Sequence, residues 1–300
     1  MLSRIPRYTL SPQGIPVFSE PAWGRLRQIH GWTNGLSTDI LNVLLRKHRP
    51  APDMAPASSE TFDVQISPAD TARIAGEIRK SGNVVLPFKL DGSKCDDLVS
   101  FCLSLPCEPY PKPASSPPEI VLDLENPVAP MNMFTAKQGL GRHPVIAALM
   151  HDPVLLAIAS HYLGCEPVVI SSLIWASPPF GDGPSTEAAQ MFHFDMAHPH
   201  FMKFFFYLTD VDTRNGPHCV VPGTHRRDLK GWKYRIKMGA RIQDYDIEKD
   251  YPELTQEVTG PKGTIFAEDT RAFHKGKHPK NGVRFVLEIY IANAIVDYKN

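Results

Sequence analysis

The chain has 300 residues, 42% hydrophobic and 21% charged, which fits a folded protein with one large core, or one core with an added helical part. Lys plus Arg and Asp plus Glu both number 32, so the formal charge is zero and nothing argues for nucleic acid or an anionic membrane as partner. Five cysteines without a C-x-x-C pair point to reduced, buried thiols and a cytoplasmic location, and neither a signal peptide nor an apolar run of membrane-spanning length is recognised.

The 29 prolines favour many turns over a helical bundle. Residues 1–36, rich in Pro, Gly and Trp, are expected to lie as an arm along the surface. Ser37 suits the N-cap of a short helix carrying Ile40, Leu41, Leu44 and Leu45, which ends at Arg49-Pro50. Residues 50–59 have the composition of a linker. A strand over 62–66 precedes a helix that starts at Ser67-Pro68, buries Ile74 and Ile78, and closes at Gly82. A strand over 83–88 and a helix over 96–105 follow, then a loop over 106–118 with six prolines in thirteen residues. Helices are expected over 144–151 and 153–163, the second closed by Gly164.

From Glu166 the texture changes. β-Branched and aromatic runs over 167–175, 189–194, 202–211, 218–221, 263–266 and 283–292 are separated by turn signals such as Asn215-Gly216-Pro217 and Asn281-Gly282. Many short strands with such punctuation predict an antiparallel sandwich or barrel, supported by a helical first half. Between 226 and 257 lies an insert with seven cations first (Arg226 to Arg241) and six acids after (Asp244 to Glu257). Two readings stand: a solvated, self-pairing excursion, or a lid carrying basic groups toward an anionic substrate.

The chemistry centres on His193-Phe194-Asp195. On extended backbone, residues two apart share one face, so an imidazole and a carboxylate would project together while Phe192 and Phe194 pack behind them. That is two-thirds of a 2-His-1-carboxylate metal site, which leaves open positions for substrates. Among twelve histidines, His30, His48, His143, His151 and His161 fall in the helical half and are expected to be structural or on the surface. His198, His200 and His225 are expected in loops. His274 follows a predicted strand, and Arg284 stands ten residues later near the start of another. A buried guanidinium there needs an anion, with Glu288 the nearest candidate in sequence.

Taken together, His193-x-Asp195, His274 and Arg284 resemble the iron(II)- and 2-oxoglutarate-dependent dioxygenases. The runs Phe205-Phe206-Tyr207-Leu208-Thr209-Asp210-Val211-Asp212, Asn215-Gly216-Pro217 and Val221-Pro222-Gly223-Thr224-His225-Arg226 are similar to the phytanoyl-CoA dioxygenase branch, with the resemblance covering about residues 140–293. It implies a mainly β protein with flanking helices around a double-stranded β-helix (jelly-roll, cupin-like) core. On that division, residues 1–130 support an oxygenase core of residues 131–300 in one integrated domain. The same resemblance puts Fe(II) on His193, Asp195 and His274, the distal carboxylate of 2-oxoglutarate on Arg284, and Lys203, Phe205 and Tyr207 along the co-substrate pocket. A hydroxyl residue that often stands two positions after the second His is replaced by Gly276. A carboxylate at Asp195, where related halogenases carry a small residue, implies hydroxylation of a small molecule, with O2 consumed and succinate and carbon dioxide released. The alternatives are a cupin-like metalloenzyme without 2-oxoglutarate, which has no need of Arg284, and a non-catalytic barrel with a binding or regulatory role.

Overall fold

Phe201–Tyr207 reads FMKFFFY and is buried nearly throughout, as a strand covered on both faces must be. Its even positions, Met202, Phe204 and Phe206, join a large apolar cluster with helical residues such as Ile74, Ile78, Leu98, Leu155 and Ile158. Its odd positions, Lys203, Phe205 and Tyr207, turn the other way and line an internal cavity. This strict alternation separates scaffold from site.

The structure is a computed structural model that describes residues 8–53, 55–110, 119–125, 133–136, 139–179, 183–186 and 188–298. The first half contains β1 (Thr9–Leu10), β2 (Pro16–Ser19), α1 (Glu20–Trp32), α2 (Leu36–Leu45), β3 (Ala57–Ser59), β4 (Val64–Ile66), α3 (Pro68–Ser81), β5 (Asn83–Lys89) and α4 (Gly92–Ser104). Then come β6 (Pro106–Tyr110), β7 (Ile120–Val121), β8 (Met133–Ala136), α5 (Pro144–Met150), α6 (Pro153–Leu163), β9 (Val168–Ser177), β10 (Phe201–Tyr207) and β11 (His218–Val221). The chain ends with α7 (Leu229–Arg235), α8 (Asp244–Asp250), β12 (Gln256–Val258), β13 (Thr264–Glu268), β14 (Phe273–Gly276), β15 (Arg284–Ala292) and β16 (Ile295–Asp297).

The major sheet has the order β5-β13-β10-β15-β9-β8-β6-β7, and its β13, β10, β15 and β9 pair antiparallel. A minor sheet, β12-β11-β14, carries His218 and His274. Helices α3 to α6 bury their apolar residues in the cluster on the outer face of the major sheet. This is the expected jelly-roll core with flanking helices. Pro144–Leu163 is long and apolar enough to cross a membrane by length and composition, but half of it is buried inside the fold and it breaks at the Asp152 cap of α6. The five cysteines are free and buried.

Several expectations need correction. Of the expected surface arm, residues 1–7 lie outside the described residues, and residues 8–36 are no arm: Pro21 stands in the first turn of α1, Trp23 is 1% exposed and its indole N–H donates to Met196 O at 3.0 Å. Gly24 and Gly31 hid this helix from a propensity argument. Gly31 is required by packing, since a Cβ there would lie 2.9 Å from Arg235 O. Gly35, not Ser37, caps α2. The supposed linker 50–59 includes β3, which pairs with β4. The proline loop of 106–118 begins as β6, paired with β7 and β8, and its residues 111–118 lie outside the described residues. Residues 189–194 make no ladder strand. Their β pairing is limited to isolated bridges, Phe192 with Ile242 and His193 with His274.

Candidate active site

That single bridge does the work the expected strand was to do. His193 N donates to His274 O at 3.0 Å and His274 N donates to His193 O at 2.9 Å, so the two residues sit directly opposite each other. Their rings face one another with centroids 4.3 Å apart. Asp195 is pinned by its own N–H to Thr270 O at 2.8 Å, two positions along and on the same side. Phe192 and Phe194 turn away into an apolar cluster with Phe18, Trp23 and Phe273. The ligand-type atoms of His193, Asp195 and His274 all lie within 4.8 Å of one another.

The tautomers follow from the backbone. His193 Nδ1 lies 2.9 Å from Met191 O and His274 Nδ1 lies 2.9 Å from Ala272 O; a carbonyl only accepts, so each Nδ1 carries the proton. Each Nε2 then presents a lone pair toward Asp195, at 4.0 and 3.9 Å. Burial, and for His193 the neighbouring His274, holds both imidazoles below their ordinary pKa, so they stay neutral. Burial alone would raise the Asp195 pKa, but the Lys203 ammonium outweighs it and holds the group ionised. Two neutral imidazoles and one carboxylate suit a divalent first-row metal such as iron(II).

Lys203 is held between two carboxylates. Its Nζ lies 3.0 Å from Asp195 Oδ2 and 3.2 Å from Glu288 Oε2, with Glu288 2% exposed. Glu288 therefore partners Lys203 rather than Arg284. Phe205 stacks on Phe266 at 4.9 Å, and Tyr207 donates its hydroxyl to Val258 O at 2.7 Å. All three residues line one cavity of about 190 Å³ together with the His-Asp-His group, Trp175, His218, Val286 and Arg284.

Arg284 is the decisive cation. It is 4% exposed, and among the described residues its guanidinium donates only to Ser177 Oγ at 3.2 Å and its Nε has no partner. Among the described residues no carboxylate pairs with it. A buried charge without an anion costs free energy. Gly276, the departure from the family pattern, has a steric reason: a Cβ there would stand 2.9 Å from Arg284 Nη2. The hydroxyl missing from that position is present across the β9–β15 ladder, where Ser177 is the register partner of Arg284.

Sequence reasoning missed Ser177, His218 and Glu268. His218 shares the cavity, and its Nε2 is 2.7 Å from Glu268 Oε2 without hydrogen-bonding geometry. Burial pushes Glu268 up to about 8, so it is mostly protonated at neutral pH, and burial with Arg284 drops His218 to about 3. The only signal for them was strand parity: Glu268 is the register partner of Lys203. His198 and His200, expected on loop surface, are buried at 3% and 7% exposure.

A second cleft, of about 290 Å³, reaches His193 and Asp195 from the other side and is lined by Arg27, Met196, Gly239, Arg241 and Tyr298. Arg241 and Gly239 belong to the charged insert, which Ile242 fastens to Phe192 through a 2.7 Å hydrogen bond. The insert thus pairs charges partly within itself (Lys233 Nζ to Asp250 Oδ2, 2.5 Å) and also walls this cleft.

The family model described as phytanoyl-CoA dioxygenase (PhyH) matches residues 131–282, half of the chain. No curated protein matches it by sequence. Among solved structures, EctD from S. alaskensis with 2-oxoglutarate and 5-hydroxyectoine aligns at TM-score 0.53 and 18% identity, covering 81% of this chain and 86% of that one. AviO1 from Streptomyces viridochromogenes Tue57 aligns at TM-score 0.52 and 15% identity, over 77% and 98%. The epimerase SnoN in complex with Fe3+, alpha ketoglutarate and nogalamycin RO aligns at 0.51 and 16%, over 75% and 84%. At these identities the structures speak for the fold.

Proposed function

The chain belongs to the phytanoyl-CoA dioxygenase (PhyH) family of iron(II)- and 2-oxoglutarate-dependent oxygenases, and we propose that it hydroxylates an aliphatic C–H bond of a small molecule. In this reading His193, Asp195 and His274 hold the iron, and Arg284 receives the far carboxylate of 2-oxoglutarate with Ser177 as second donor. When bound, the iron supplies dioxygen activation coupled to oxidation of 2-oxoglutarate to succinate and carbon dioxide. The protein's part is placement. The Nδ1 bonds to Met191 and Ala272 fix the two imidazole rings, Lys203 orients the Asp195 carboxylate, and Trp175, Phe205, Phe266 and Val286 keep the cavity dry. The substrate would approach through the cleft bounded by Arg27, Arg241 and Tyr298, where cationic side chains suit a molecule with an anionic group.

The observation that carries this reading is Arg284, a buried cation without an acid in the same cavity as the metal-type triad. A cupin-like enzyme that does not use 2-oxoglutarate would have no use for it. The test is a screen of small molecules scored for succinate, with product mass measured beside it. Succinate formation in step with a product that gains one oxygen supports hydroxylation. A product that loses two hydrogens, or turnover without 2-oxoglutarate, contradicts it.

A further inference from the structure

A second cavity lies apart from the one that holds the triad. It has a volume of about 450 Å³ and shares no lining residue with the Arg284 cavity. Six guanidinium groups line it: Arg46, Arg79, Arg226, Arg227, Arg235 and Arg271. They come from α2 and its C-cap, α3, the turn after β11, α7 and the segment before β14, so the fold gathers them from five places in the sequence.

Three of the six are matched. Arg271 chelates Asp269 (Nε to Oδ1, 2.9 Å), Arg235 reaches Asp228 at 3.3 Å, and Arg227 reaches Asp39 at 3.4 Å. Arg46, Arg79 and Arg226 have no carboxylate partner among the described residues, which leaves three surplus positive charges (six cations against three acids). Arg79 spends its donors on the carbonyls of His161 and Tyr162, and the Nε of Arg46 is buried without a partner.

A second observation points to a missing ligand. His200 lines the cavity at 7% exposure and its ring makes no hydrogen bond among the described residues, while His225 beside it is tied through Nε2 to the Arg79 carbonyl at 3.1 Å. Burial first, and the charge of Arg271 next, keep His200 well below its ordinary pKa, and His30, which also lines the cavity, drops to about 3 for the same reasons. The neutral His200 ring has one N–H to offer an anion without adding to the charge, whereas the His225 proton is taken by the Arg79 carbonyl. Arg79 and Arg226 reach solvent and are stable hydrated, but like charges gathered at one recess repel one another, and an anion between them relieves that repulsion.

From this arrangement we infer a second ligand site that binds a small molecule carrying two or more phosphate groups. Guanidinium forks match phosphate oxygens bidentately, and three surplus charges call for a ligand of at least two to three negative charges. The volume lies in the usual range for small-molecule sites, about 300–1,000 Å³. A recess in a chain of zero net charge fits a small molecule better than a nucleic-acid backbone, which needs an extended basic stripe. Between the two sites runs the segment Asp269-Thr270-Arg271, whose Thr270 carbonyl accepts the Asp195 N–H, so one backbone bond separates the second site from a triad residue.

The test is calorimetric titration of the full chain, free of iron and of 2-oxoglutarate, with inorganic pyrophosphate, ADP and coenzyme A at about 0.15 M salt. Binding of at least one probe is expected, weakened roughly tenfold or more, at least 1.4 kcal/mol, by Arg46→Gln with Arg226→Gln and separately by Arg79→Gln. The exposed Lys249→Gln should change nothing. ADP or coenzyme A binding more tightly than pyrophosphate identifies an organic phosphate ester, and equal affinities identify inorganic phosphate; both support the site. Its absence is established if no probe binds at millimolar concentration, or if the cavity variants bind like the wild type. Folding of the variants is checked by 2-oxoglutarate binding in the metal-loaded protein, which they should retain. Because the titration needs neither iron nor turnover, its failure leaves the oxygenase reading standing.

Discussion

Replacing Arg284 by Met separates what this side chain does for the ligand from what it does for the fold. In the wild type a carboxylate arriving at Arg284 meets a guanidinium that is buried and, among the described residues, held by Ser177 alone with no competing acid. Without it the carboxylate is buried and unpaired, at a cost of about 2–5 kcal/mol. At 1.4 kcal/mol per tenfold, 2-oxoglutarate should bind about 30- to 4,000-fold more weakly. The ligand-free protein should respond in the opposite direction. Met fills similar space and removes an unpaired buried charge, so the unfolding midpoint of the metal-free variant should equal or exceed that of the wild type. Calorimetry of 2-oxoglutarate into anaerobic manganese-loaded protein, beside thermal unfolding of the metal-free form, measures both. Affinity within about threefold of wild type would refute the assignment, as would a loss of stability near the roughly 3–5 kcal/mol of a broken buried ion pair.

Lys203→Met should cost about 3–5 kcal/mol of stability by stranding buried Glu288, and about 10- to 100-fold in metal affinity by releasing Asp195. Adding Glu288→Gln should restore much of the stability but not the metal affinity; recovery of both would show that Lys203 does not orient Asp195. Gly276→Ser should push the Arg284 guanidinium aside at a cost of about 1–3 kcal/mol, read as a KM for 2-oxoglutarate raised about 5- to 100-fold with kcat less affected. An unchanged KM would mean that the guanidinium has room to move. Stability should also fall with acid. Burial drops His30 to about 3 and His198 to about 4, so the fold keeps both neutral while the unfolded chain protonates them near pH 6.5. The unfolded state then binds more protons, and stability, full above pH 6.5, declines toward pH 4 by up to about 1.4 kcal/mol per pH unit for each group. Urea unfolding at pH 7 and pH 5 should show this decline, flattened in His30→Gln with His198→Gln; no difference between the two pH values would contradict it.

Much of this was legible in the residues. Strand texture after Glu166, the helix signals at Ser67-Pro68 and Gly164, and the alternation of Lys203, Phe205 and Tyr207 all follow from local chemistry that the tertiary structure leaves intact. What could not be read depended on partners far away in sequence. α1 is stabilised by burial of Trp23 beneath Met196 rather than by propensity. His193 and Asp195 are held extended by His274 and Thr270, across a separation no pattern encodes, in place of a continuous strand. Ser177 acquires meaning only through its register with Arg284, and Glu288 could be assigned to Lys203 only once β10 and β15 were seen side by side. The basic cavity is the extreme case: its arginines are scattered from position 46 to position 271.

The central claim is that His193, Asp195 and His274 hold iron(II) beside a 2-oxoglutarate seat at Arg284. Anaerobic absorption spectroscopy tests it most directly. Iron(II) and 2-oxoglutarate together should give the wild-type protein a weak visible charge-transfer band that neither gives alone, and His274→Ala should abolish it. No band in the wild type, or an undiminished band in His274→Ala, would contradict the account.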